Sequence, residues 1–414
     1  MTGKTDNSLG LYISIPFCRS KCTYCNFASG VYPASEHERY VGRLIEDMTA
    51  AGAWAARMGV ELPRQVDTVY LGGGTPTLLA PELLVRLFAT MRANFDLVPD
   101  AEITVECAPG QLADRTLAAL IAAGVNRVSL GVQSFIDREA AVSGRLHNRA
   151  VVVEDIKRLR AAGIVNLSLD LIAGLAGQTF ASWQESLATL IECGVPHASI
   201  YMLEVDQDSR LGREMLAHGA RYHAELVPTD DAIARMYSDA IEALDRSGLS
   251  QYEISNFCRP GFASRHNLRY WQRRPYLGLG LDASSMLREV MHAAGSPGCG
   301  RVLRSTTTCD LKEFFEHPEP AETAWLSPQL QHEEAWFLGL RLNAGVDVDA
   351  VQSEFGREPT ARALEVVATL ADAGLVTFDG KTARLTPRGQ LLSNDVFQEF
   401  LDLEPAVGLD VSAS

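Results

Sequence analysis

The sequence predicts an α/β fold: a partial, TIM-like (β/α)6 barrel followed by a mostly helical, winged-helix-like C-terminal domain. In the first 250 residues, short runs rich in Val, Ile, Leu and Tyr alternate six times with stretches of helical periodicity. Near the end of the chain, three helical stretches precede a hairpin pattern and a further helix. Repeated strand–helix units indicate a parallel sheet with helices on its outside. Six units are fewer than the eight of a closed barrel, so we expect an open one.

The six apolar runs are the predicted strands. They lie at residues 11–17, 68–71, 102–107, 127–132, 167–172 and 198–205. The predicted helices follow them at residues 36–57, 81–94, 114–122, 150–161, 179–193 and 230–246. Pro81 suits the first turn of a helix, and glycines stand just past four of the helical stretches, at Gly124, Gly163, Gly194 and Gly248. We expect ligand-binding residues at the carboxyl ends of the strands.

We predict four segments along the chain: the barrel over 1–250, an irregular connecting segment over 251–327, the C-terminal domain over 328–402 and a tail over 403–414. In the connecting segment Gly, Pro and Arg are frequent and periodicity is poor. The predicted hairpin of the C-terminal domain turns at Asp379-Gly380, a pair that suits a tight hairpin turn. The order helix, helix, helix, hairpin, helix suggests a winged-helix module.

The acidic balance of the chain argues against nucleic acid and anionic membrane surfaces as partners. Lys and Arg number 37 against 52 Asp and Glu, which gives a formal charge of -15. Binding to phosphates needs concentrated Lys and Arg. The C-terminal domain carries 6 Lys and Arg against 12 Asp and Glu. We therefore expect it to pack against the core or to act as a lid, and not to bind DNA.

Cysteine usage and the lack of a targeting segment predict the compartment. No uncharged apolar run approaches the roughly 18 residues of a membrane-spanning helix. The apolar stretch over 9–17 is about as long as a signal-peptide core, but it runs into a cysteine cluster without a cleavage site. Eight cysteines in 414 residues are too few for a disulfide scaffold, and three of them crowd into eight positions. We therefore expect a cytoplasmic metalloprotein.

The strongest chemical signal is the run FCRSKCTYCNF at residues 17–27. Its three thiols, Cys18, Cys22 and Cys25, lie on one predicted loop and can converge on an iron–sulfur cluster. Three ligands for four irons leave one iron open to another ligand. The alternatives are a zinc knuckle and unligated thiols. Zinc needs a fourth ligand close by, and the nearest histidine, His37, is twelve residues further on.

Glycines and polar residues stand where predicted strands end. Gly72 to Gly74 end the second run, and without Cβ atoms their backbone can approach a ligand closely; the alternative is a tight turn. Glu106 and Gln133 end the third and fourth runs, and Asp170 lies within the fifth. Each of these side chains alone is more often a helix cap or a loop anchor. Together they predict a ligand site on one rim of the sheet.

With the cysteine loop, a series of further motifs resembles the radical S-adenosylmethionine superfamily, whose signature is three cysteines separated by three and then two residues. These motifs are LYISIPF at 11–17, GGGTPT at 72–77, GVQSF at 131–135, DLIAGL at 170–175, YEISNF at 252–257, HNLRYW at 266–271 and LTPRG at 385–389. In this order they resemble the branch that contains the oxygen-independent coproporphyrinogen III oxidases and the haem chaperones. The resemblance runs from about residue 9 to residue 401.

The resemblance implies a [4Fe-4S] cluster on Cys18, Cys22 and Cys25, with S-adenosylmethionine on its open iron. An electron from the reduced cluster would then cleave the sulfonium and give a 5′-deoxyadenosyl radical, while the protein fixes the geometry. Carboxylates would accept hydrogen bonds from the ribose or the amino group, and an arginine would pair with the carboxylate of the cofactor. By position, the residues that match family contacts to S-adenosylmethionine are Tyr12, Tyr24, Gly73, Gly74, Thr75, Glu106, Gln133, Arg145 and Asp170.

Two features favour the chaperones over the oxidases. The oxidase pattern has a further cysteine two residues after the third, where this sequence has Phe27. His266 matches the proposed haem-binding element of the chaperones, and a neutral imidazole suits haem iron; the alternative is that His266 only pins a loop. One departure points the other way, because relatives usually carry a histidine where this sequence has Ser284.

We therefore expect a haem chaperone that binds haem and delivers it to recipient haemoproteins, without coproporphyrinogen dehydrogenase activity. The alternatives are an oxygen-independent coproporphyrinogen III oxidase, another radical S-adenosylmethionine enzyme acting on a porphyrin, and a zinc-stabilised barrel without redox chemistry. The resemblance implies an electron donor, peripheral contact with membrane proteins and a homodimer as further partners. Nucleic acid is not expected as a partner.

Overall fold

The computed structural model describes residues 8–207, 209–290, 300–401 and 403. Residues 404–414 of the predicted tail lie outside the described residues. Six parallel strands form the middle of a twelve-stranded sheet and follow one another in chain order. They are β1 (Leu9–Ile15), β2 (Gln65–Gly73), β3 (Asp96–Cys107), β4 (Arg127–Gln133), β5 (Asn166–Ala173) and β6 (His197–Met202). This order confirms the predicted α/β class. In the described part of the chain the two outer strands of the sheet do not pair with each other, so the barrel is open.

Helices connect the six strands and cover the sheet. They are α1 (Ala34–Met58), α2 (Pro81–Asn94), α3 (Asp114–Ala122), α4 (Asp137–Val142), α5 (Arg149–Ala161), α6 (Phe180–Glu192), α7 (Arg210–Leu216) and α8 (Asp230–Arg246). Short 3-10 turns lie at Pro76–Leu78 and Arg221–Leu226. The helices α2, α3 and α8 begin and end at the predicted residues. Among the described residues, no helix is both long and apolar enough to cross a membrane.

The core lies between the sheet and its helices. Strand β1 is buried at six of its seven residues, with Leu11 and Ile13 fully enclosed, as expected for a parallel strand covered by neighbours. Trp183 of α6 is also fully buried, and its Nε1 donates to the carbonyl of Met236 in α8 at 2.7 Å. Burying such a side chain stabilises the fold by roughly 2–3 kcal/mol. The packing holds the carboxyl ends of the strands in fixed positions.

The prediction of an irregular segment over 251–327 was wrong in one respect, because this segment extends the sheet at both sides. Its strands are β7 (Ser250–Glu253), β8 (Asn256–Cys258), β9 (Tyr276–Leu279), β10 (Ser284–Arg288), β11 (Val302–Thr306) and β12 (Glu322–Leu326). Two helices accompany them, α9 (Arg265–Trp271) and α10 (Leu311–Glu316). The strands β9 to β12 continue the sheet beyond β1, while β8 and β7 continue it beyond β6. Each strand has only three to five residues, too few for an alternation to stand out.

The C-terminal domain follows the predicted order of three helices, a hairpin and further helix. Its elements are α11 (Pro328–Leu340), β13 (Val346–Asp347), α12 (Val348–Phe355), α13 (Arg357–Asp372), β14 (Val376–Phe378), β15 (Thr382–Leu385), α14 (Pro387–Leu391) and α15 (Ser393–Gln398). The hairpin turns where predicted, because Asp379 Oδ1 accepts from two backbone amides of the loop and Gly380 takes a φ of 89°. A separate small core includes Trp336 stacked on Phe400, with ring centroids 5.4 Å apart.

The turn after α11 joins the C-terminal domain to the edge of the large sheet. The carbonyl of Arg341 accepts from the backbone amide of Ile254, and the carbonyl of Tyr252 accepts from the amide of Asn343, each at 3.1 Å. These two bonds hold the domain beside β7. Its residues thereby reach the same side of the molecule as the carboxyl ends of the parallel strands.

Candidate cofactor site

A cavity of about 630 Å³ lies at the carboxyl ends of the parallel strands. Eleven of the thirteen residues that the sequence predicted for cofactor and metal binding line it. They are Cys18, Cys22, Tyr24, Cys25, Gly73, Gly74, Thr75, Glu106, Gln133, Arg145 and Asp170. Because parallel strands end at one edge of the sheet, side chains that are remote in sequence meet there.

The cysteine loop is held at its base and on one flank. At the base, the amide of Cys18 donates to the carbonyl of Gly30 at 2.8 Å, and Gly30 in turn donates to Pro16 at 2.8 Å. On the flank, the amide of Thr23 donates to Ser143, and the carbonyl of Thr23 accepts from α7. The loop is therefore fixed before any ligand binds.

Each of the three thiols has a polar neighbour at the cavity wall. The contacts are Thr75 Oγ1 to Cys18 Sγ at 3.9 Å, Ser29 Oγ to Cys25 Sγ at 3.9 Å and Arg145 Nη1 to Cys22 Sγ at 3.5 Å. All three cysteines are free of disulfides. Burial raises the pKa of the Cys18 thiol, and the nearby Cys25 and Cys22 raise it further. Cys22 and Cys25 therefore each lie within electrostatic reach of Cys18.

No group of three His, Cys, Asp or Glu side chains in the described residues is placed to hold a single metal ion. A four-iron cluster takes its thiolates on separate irons. It therefore requires a wider spacing of the three sulfurs than one zinc ion does.

The second strand ends on glycines for a steric reason. A Cβ on Gly74 would lie 2.7 Å from the carbonyl oxygen of Ile15, closer than Cβ atoms approach in real structures. Gly73 has a φ of 88°, in the left-handed region that favours glycine. A side chain at either position would strain the end of β2 or push it away from β1. The glycines therefore keep the backbone of β2 at the cavity wall.

Glu106 at the end of β3 accepts a hydrogen bond of 2.8 Å from the hydroxyl of Tyr70. Burial raises the pKa of Glu106 to about 7, against the opposing effects of this hydroxyl and of the Gly73 amide. Both protonation states of the carboxyl are therefore populated near neutral pH. Tyr70 could not be predicted as a site residue, because nothing distinguishes it from other strand residues before the fold places it beside Glu106.

Gln133 and Arg145 each bring a buried polar atom without a partner to the cavity. Gln133 Oε1 and Arg145 Nε have no hydrogen-bond partner among the described residues. Gln133 also has a φ of 69°, an unusual conformation for a residue other than glycine. Unsatisfied buried groups and local strain are costly, and they concentrate where ligands bind. These two side chains can therefore form hydrogen bonds with polar groups of a ligand.

Asp170 in β5 is surrounded by serine hydroxyls on its protein side. Ser129 donates to its two carboxylate oxygens at 3.1 and 3.0 Å, and Ser168 donates to Oδ1 at 3.2 Å. Burial raises the pKa of Asp170, while hydrogen bonds from Ser199, Ser129 and Ser168 lower it. The carboxylate also lines the cavity, so its remaining lone pairs are available to a ligand.

Tyr12 does not line the cavity. Its side chain lies behind the glycine turn, where a Cβ on Gly73 would be 3.3 Å from the Tyr12 hydroxyl. Its ring also packs near the ring of Tyr70, with centroids 6.2 Å apart. In this structure Tyr12 therefore supports the wall of the cavity from outside.

His266 is likewise not brought to the cavity, and the structure does not support it as a haem ligand. Both ring nitrogens are occupied, Nδ1 by Thr68 Oγ1 at 3.0 Å and Nε2 by the hydroxyl of Tyr270 at 2.9 Å. Burial lowers the pKa of His266 to about 3, and the ring stacks on Tyr70. The arrangement matches the alternative interpretation of a histidine that pins its segment. Ser284 also lies away from the cavity, on β10, where its hydroxyl lies 2.9 Å from that of Thr306.

Several residues that line the cavity were not predicted. Tyr201 and Met202 end β6 and could have been found by the rule that pointed to Glu106 and Gln133. Others come from the C-terminal domain and depend on how that domain docks, which no local pattern reveals. These are Arg341, Ser393 and Asn394.

An open sheet of six parallel strands, with three thiols on the loop after the first strand and glycines at the end of the second, defines the radical S-adenosylmethionine class of proteins. The model of the radical SAM superfamily matches residues 12–190. The model of the HemN C-terminal domain matches residues 326–392.

Curated relatives narrow the class. The heme chaperone HemW of Lactococcus lactis is 32% identical over 390 residues, which cover 94% of this chain and 96% of the relative. The heme chaperone HemW of Bacillus subtilis is 33% identical over 399 residues, with 94% and 98% covered. The chain belongs to the HemW family.

Among solved structures, the chain is similar to the coproporphyrinogen III oxidase HemN from Escherichia coli, a radical SAM enzyme. The TM-score is 0.78, and the match covers 96% of this chain and 91% of that one. At 22% sequence identity this likeness shows a shared fold.

Proposed function

We propose that this protein is a haem chaperone, which binds haem and delivers it to recipient haemoproteins with the help of a [4Fe-4S] cluster and S-adenosylmethionine. One observation carries the proposal: three thiols and eight further predicted side chains or glycines meet at one cavity in a chain of the HemW family. The similarity to the heme chaperone HemW of Lactococcus lactis covers 94% of this chain, so it includes the C-terminal domain.

The residues at the cavity fit the cluster. Thiolates are the ligands that iron–sulfur clusters take, and Cys18, Cys22 and Cys25 lie on one loop and line the same cavity. Gly144 supports the fit, because a Cβ there would come within 3.2 Å of the Cα of Cys22. Three ligands for four irons leave one iron open to an exogenous group. We therefore assign the three cysteines as the cluster ligands.

The polar wall of the cavity fits S-adenosylmethionine. When bound, the reduced cluster supplies the electron for reductive cleavage of the sulfonium. Glu106 would accept from the amino group, Asp170 from ribose hydroxyls, and Arg145 would donate to the carboxylate. The buried Gln133 Oε1, which has no partner in the described residues, would accept from a further donor of the cofactor. The remaining predicted contacts, Tyr24, Gly73, Gly74 and Thr75, would shape the wall, with Tyr12 behind it.

The mouth of the cavity fits the flat, apolar body of haem. Phe27 and Leu146 line the cavity and are 58% and 64% exposed, which gives an apolar rim. Lys21 lines the same cavity and would pair with a propionate. Among the described residues, His147 is the histidine that lines the cavity. Its Nε2 lies 3.1 Å from the carbonyl oxygen of Val132, and because a carbonyl oxygen can only accept, Nε2 carries the proton. Burial lowers the pKa of His147 to about 4, so the ring is neutral and Nδ1 keeps its lone pair. We propose His147, which lines the cavity, as the imidazole for haem iron in place of His266, which does not line it.

Further parts of the proposal rest on the sequence. We infer that the chain works in the cytoplasm, takes electrons from a separate donor, contacts membrane proteins peripherally and forms a homodimer. We also infer domain boundaries near residues 250 and 327, with the segment 251–327 completing the large sheet. The acidic balance of the whole chain, with a formal charge of -15, argues against nucleic acid as a partner.

Anaerobic reconstitution with iron and sulfide tests the proposal. We expect about four irons per chain, visible absorbance of a cluster, and a change in the electron paramagnetic resonance of the reduced cluster on addition of S-adenosylmethionine. Cys18→Ser, Cys22→Ser and Cys25→Ser should each lose the cluster. Cys107→Ser is the matched control, because this buried thiol also borders the cavity but lies on β3. One zinc ion per chain and no visible absorbance would contradict the proposal.

The haem part is tested by titration of the purified protein with haem and by transfer to an apo-haemoprotein. We expect one haem per chain and spectral evidence of its transfer. Formation of protoporphyrinogen from coproporphyrinogen III in an anaerobic assay would favour the oxidase instead. Loss of the haem spectrum under reducing conditions would favour an enzyme that modifies haem.

A further inference from the structure

A line of hydrogen bonds runs from the N-terminus of α9 to the carboxylate of Asp170. It passes through Tyr252 of β7, His197 of β6 and Ser168 of β5. We propose that His197 and Tyr252 are positioning residues that orient Asp170, through Ser168, for the hydroxyl groups of a bound ribose. The inference rests on the proposed function, in which this carboxylate accepts from S-adenosylmethionine.

The distances make the line continuous. The backbone amide of Ser264 donates to the hydroxyl of Tyr252 at 3.1 Å, and that hydroxyl lies 3.0 Å from His197 Nε2. His197 Nδ1 lies 2.8 Å from Ser168 Oγ, and Ser168 Oγ lies 3.2 Å from Asp170 Oδ1. His197 and Ser168 are almost completely buried, so water does not compete for these bonds.

Donor and acceptor chemistry gives the line one direction. An ionised carboxylate only accepts, so Ser168 uses its single proton towards Asp170 and must accept from His197. His197 is then protonated on Nδ1, and its Nε2 accepts from the hydroxyl of Tyr252. Burial keeps His197 neutral, because it lowers the pKa of the imidazole well below its usual value. Every proton in the line therefore points towards Asp170, and each bond polarises the next.

The line gives a role to two sequence motifs that the proposed function leaves unused. Tyr252 begins the YEISNF motif, and Ser264 is the N-cap of α9, the helix that carries the HNLRYW motif. Ser264 Oγ accepts from the amide of Asn267, which fixes the cap. The start of α9 is thus tied to the cofactor wall by hydrogen bonds, although α9 contributes no residue to the lining of the cavity.

The tautomer of His197 tests the line without any cofactor. Nitrogen-15 NMR of protein with nitrogen-15-labelled histidines should show His197 protonated on Nδ1. The His197→Asn variant assigns the signal. Protonation on Nε2 would overturn the proposal. This measurement decides the inference even if the reconstituted protein binds no S-adenosylmethionine, an outcome that would count against the proposed function instead.

Cofactor affinity tests the consequence in the reconstituted protein. Ser168→Ala and Tyr252→Phe each remove one hydroxyl from the line, and we expect S-adenosylmethionine to bind about three- to tenfold more weakly. Tyr40→Phe is the matched control, since this fully buried hydroxyl bonds Ser14 and Leu281 away from the cavity. Unchanged affinity in Ser168→Ala would overturn the proposal, and this variant decides the case if Tyr252→Phe does not fold.

The pH dependence separates positioning from a general loss of structure. In Ser168→Ala the carboxyl of Asp170 loses a hydrogen-bond donor and binds a proton more readily, so the defect in affinity should grow as the pH falls. The other titratable groups that face Asp170 are unchanged in both variants, so the ratio of variant to wild-type affinity isolates its effect. They are Arg127, Glu106, Tyr70 and Tyr201. A defect of equal size at every pH would overturn the positioning role.

Discussion

The guanidinium nitrogen Nη1 of Arg145 lies 3.5 Å from the sulfur of Cys22. A second nitrogen of the same group donates to the carbonyl of Gly131, so the side chain is held at both ends of its fork. The third, Nε, is buried and has no partner in the described residues. Arg145 is thus a fixed positive charge that touches one proposed cluster ligand and still has donor capacity for a ligand.

The first prediction follows from this charge. Arg145→Met should leave the iron content unchanged but make the reconstituted cluster harder to reduce, because a nearby cation and a hydrogen bond to sulfur stabilise the reduced state. We also expect at least about tenfold weaker binding of S-adenosylmethionine, since a charge-assisted pair is lost. A redox titration followed by electron paramagnetic resonance measures the first effect. Arg149→Met removes an exposed arginine paired with Glu185, and this variant should match wild type in the reduction potential of the cluster and in its affinity for S-adenosylmethionine.

The second prediction concerns the pH dependence of cofactor binding. Burial raises the pKa of Glu106 to about 7. A carboxylate that accepts from an amino group must be ionised, so affinity should approach its full value about one unit above the pKa and fall by up to about tenfold per pH unit below it. Burial also raises the pKa of the neighbouring Asp170, so this carboxyl could titrate together with Glu106. The pKa values of Tyr70 and Arg145 are raised above their already high ordinary values, so neither group changes charge near neutral pH.

Binding of S-adenosylmethionine measured between pH 5.5 and 8.5 checks this, a range that brackets the pKa of about 7. Glu106→Gln should bind more weakly at high pH and show a flat profile. Glu204→Gln, which changes an exposed carboxylate of the same cavity, should keep the wild-type profile. A flat profile in the wild type would show that ionisation of Glu106 does not matter.

The third prediction concerns the buried ion cluster beneath α9. Arg269, part of the HNLRYW motif, is fully buried and pairs with Asp67 of β2, which also meets Arg274 at 3.0 Å. Asp67→Ala leaves buried positive charge without its partner, so the free energy of unfolding should fall by about 3–5 kcal/mol. Denaturant titration measures this. Asp96→Ala breaks an exposed pair with Arg64 and should cost less than about 1 kcal/mol.

The fourth prediction separates the two histidines. His266→Ala removes hydrogen bonds to Thr68 and Tyr270 inside the protein, so it should lower the free energy of unfolding by about 1–3 kcal/mol and leave one haem per chain. His147→Ala should weaken haem binding at least about tenfold, because it removes the proposed iron ligand. Spectroscopic haem titration of both variants checks this. The reverse pattern would restore His266 as the ligand.

Much of the barrel could be predicted, because its long elements carry their own periodicity. The helices α2, α3 and α8 have the predicted ends, and the six central strands lie at the predicted runs. The strands between 250 and 327 could not be predicted, because each is short and exists only through pairing with a remote strand. The pairing of β9 with β1, for example, joins residues more than 260 positions apart.

The candidate site could likewise be predicted only in part. Strand ends and cysteine spacing are local features, so they pointed to Glu106, Gln133, Asp170 and the thiols before any fold was known. His266 stood in an equally suggestive motif, yet it is buried away from the cavity and both of its ring nitrogens are hydrogen-bonded. A motif shows which residue types occur together, whereas burial depends on how separate segments pack.

The sequence by itself determined the α/β class of this protein, and its motifs resembled the family to which the chain belongs. The fold class follows from periodicity, which the chain carries before it folds, whereas the family follows from the resemblance of its motifs. Only the tertiary structure decided that His147 lines the cavity while His266 does not, and that Arg341 of the C-terminal domain reaches the same cavity. The reason is physical: accessibility and hydrogen bonding are set by contacts between segments far apart in the chain.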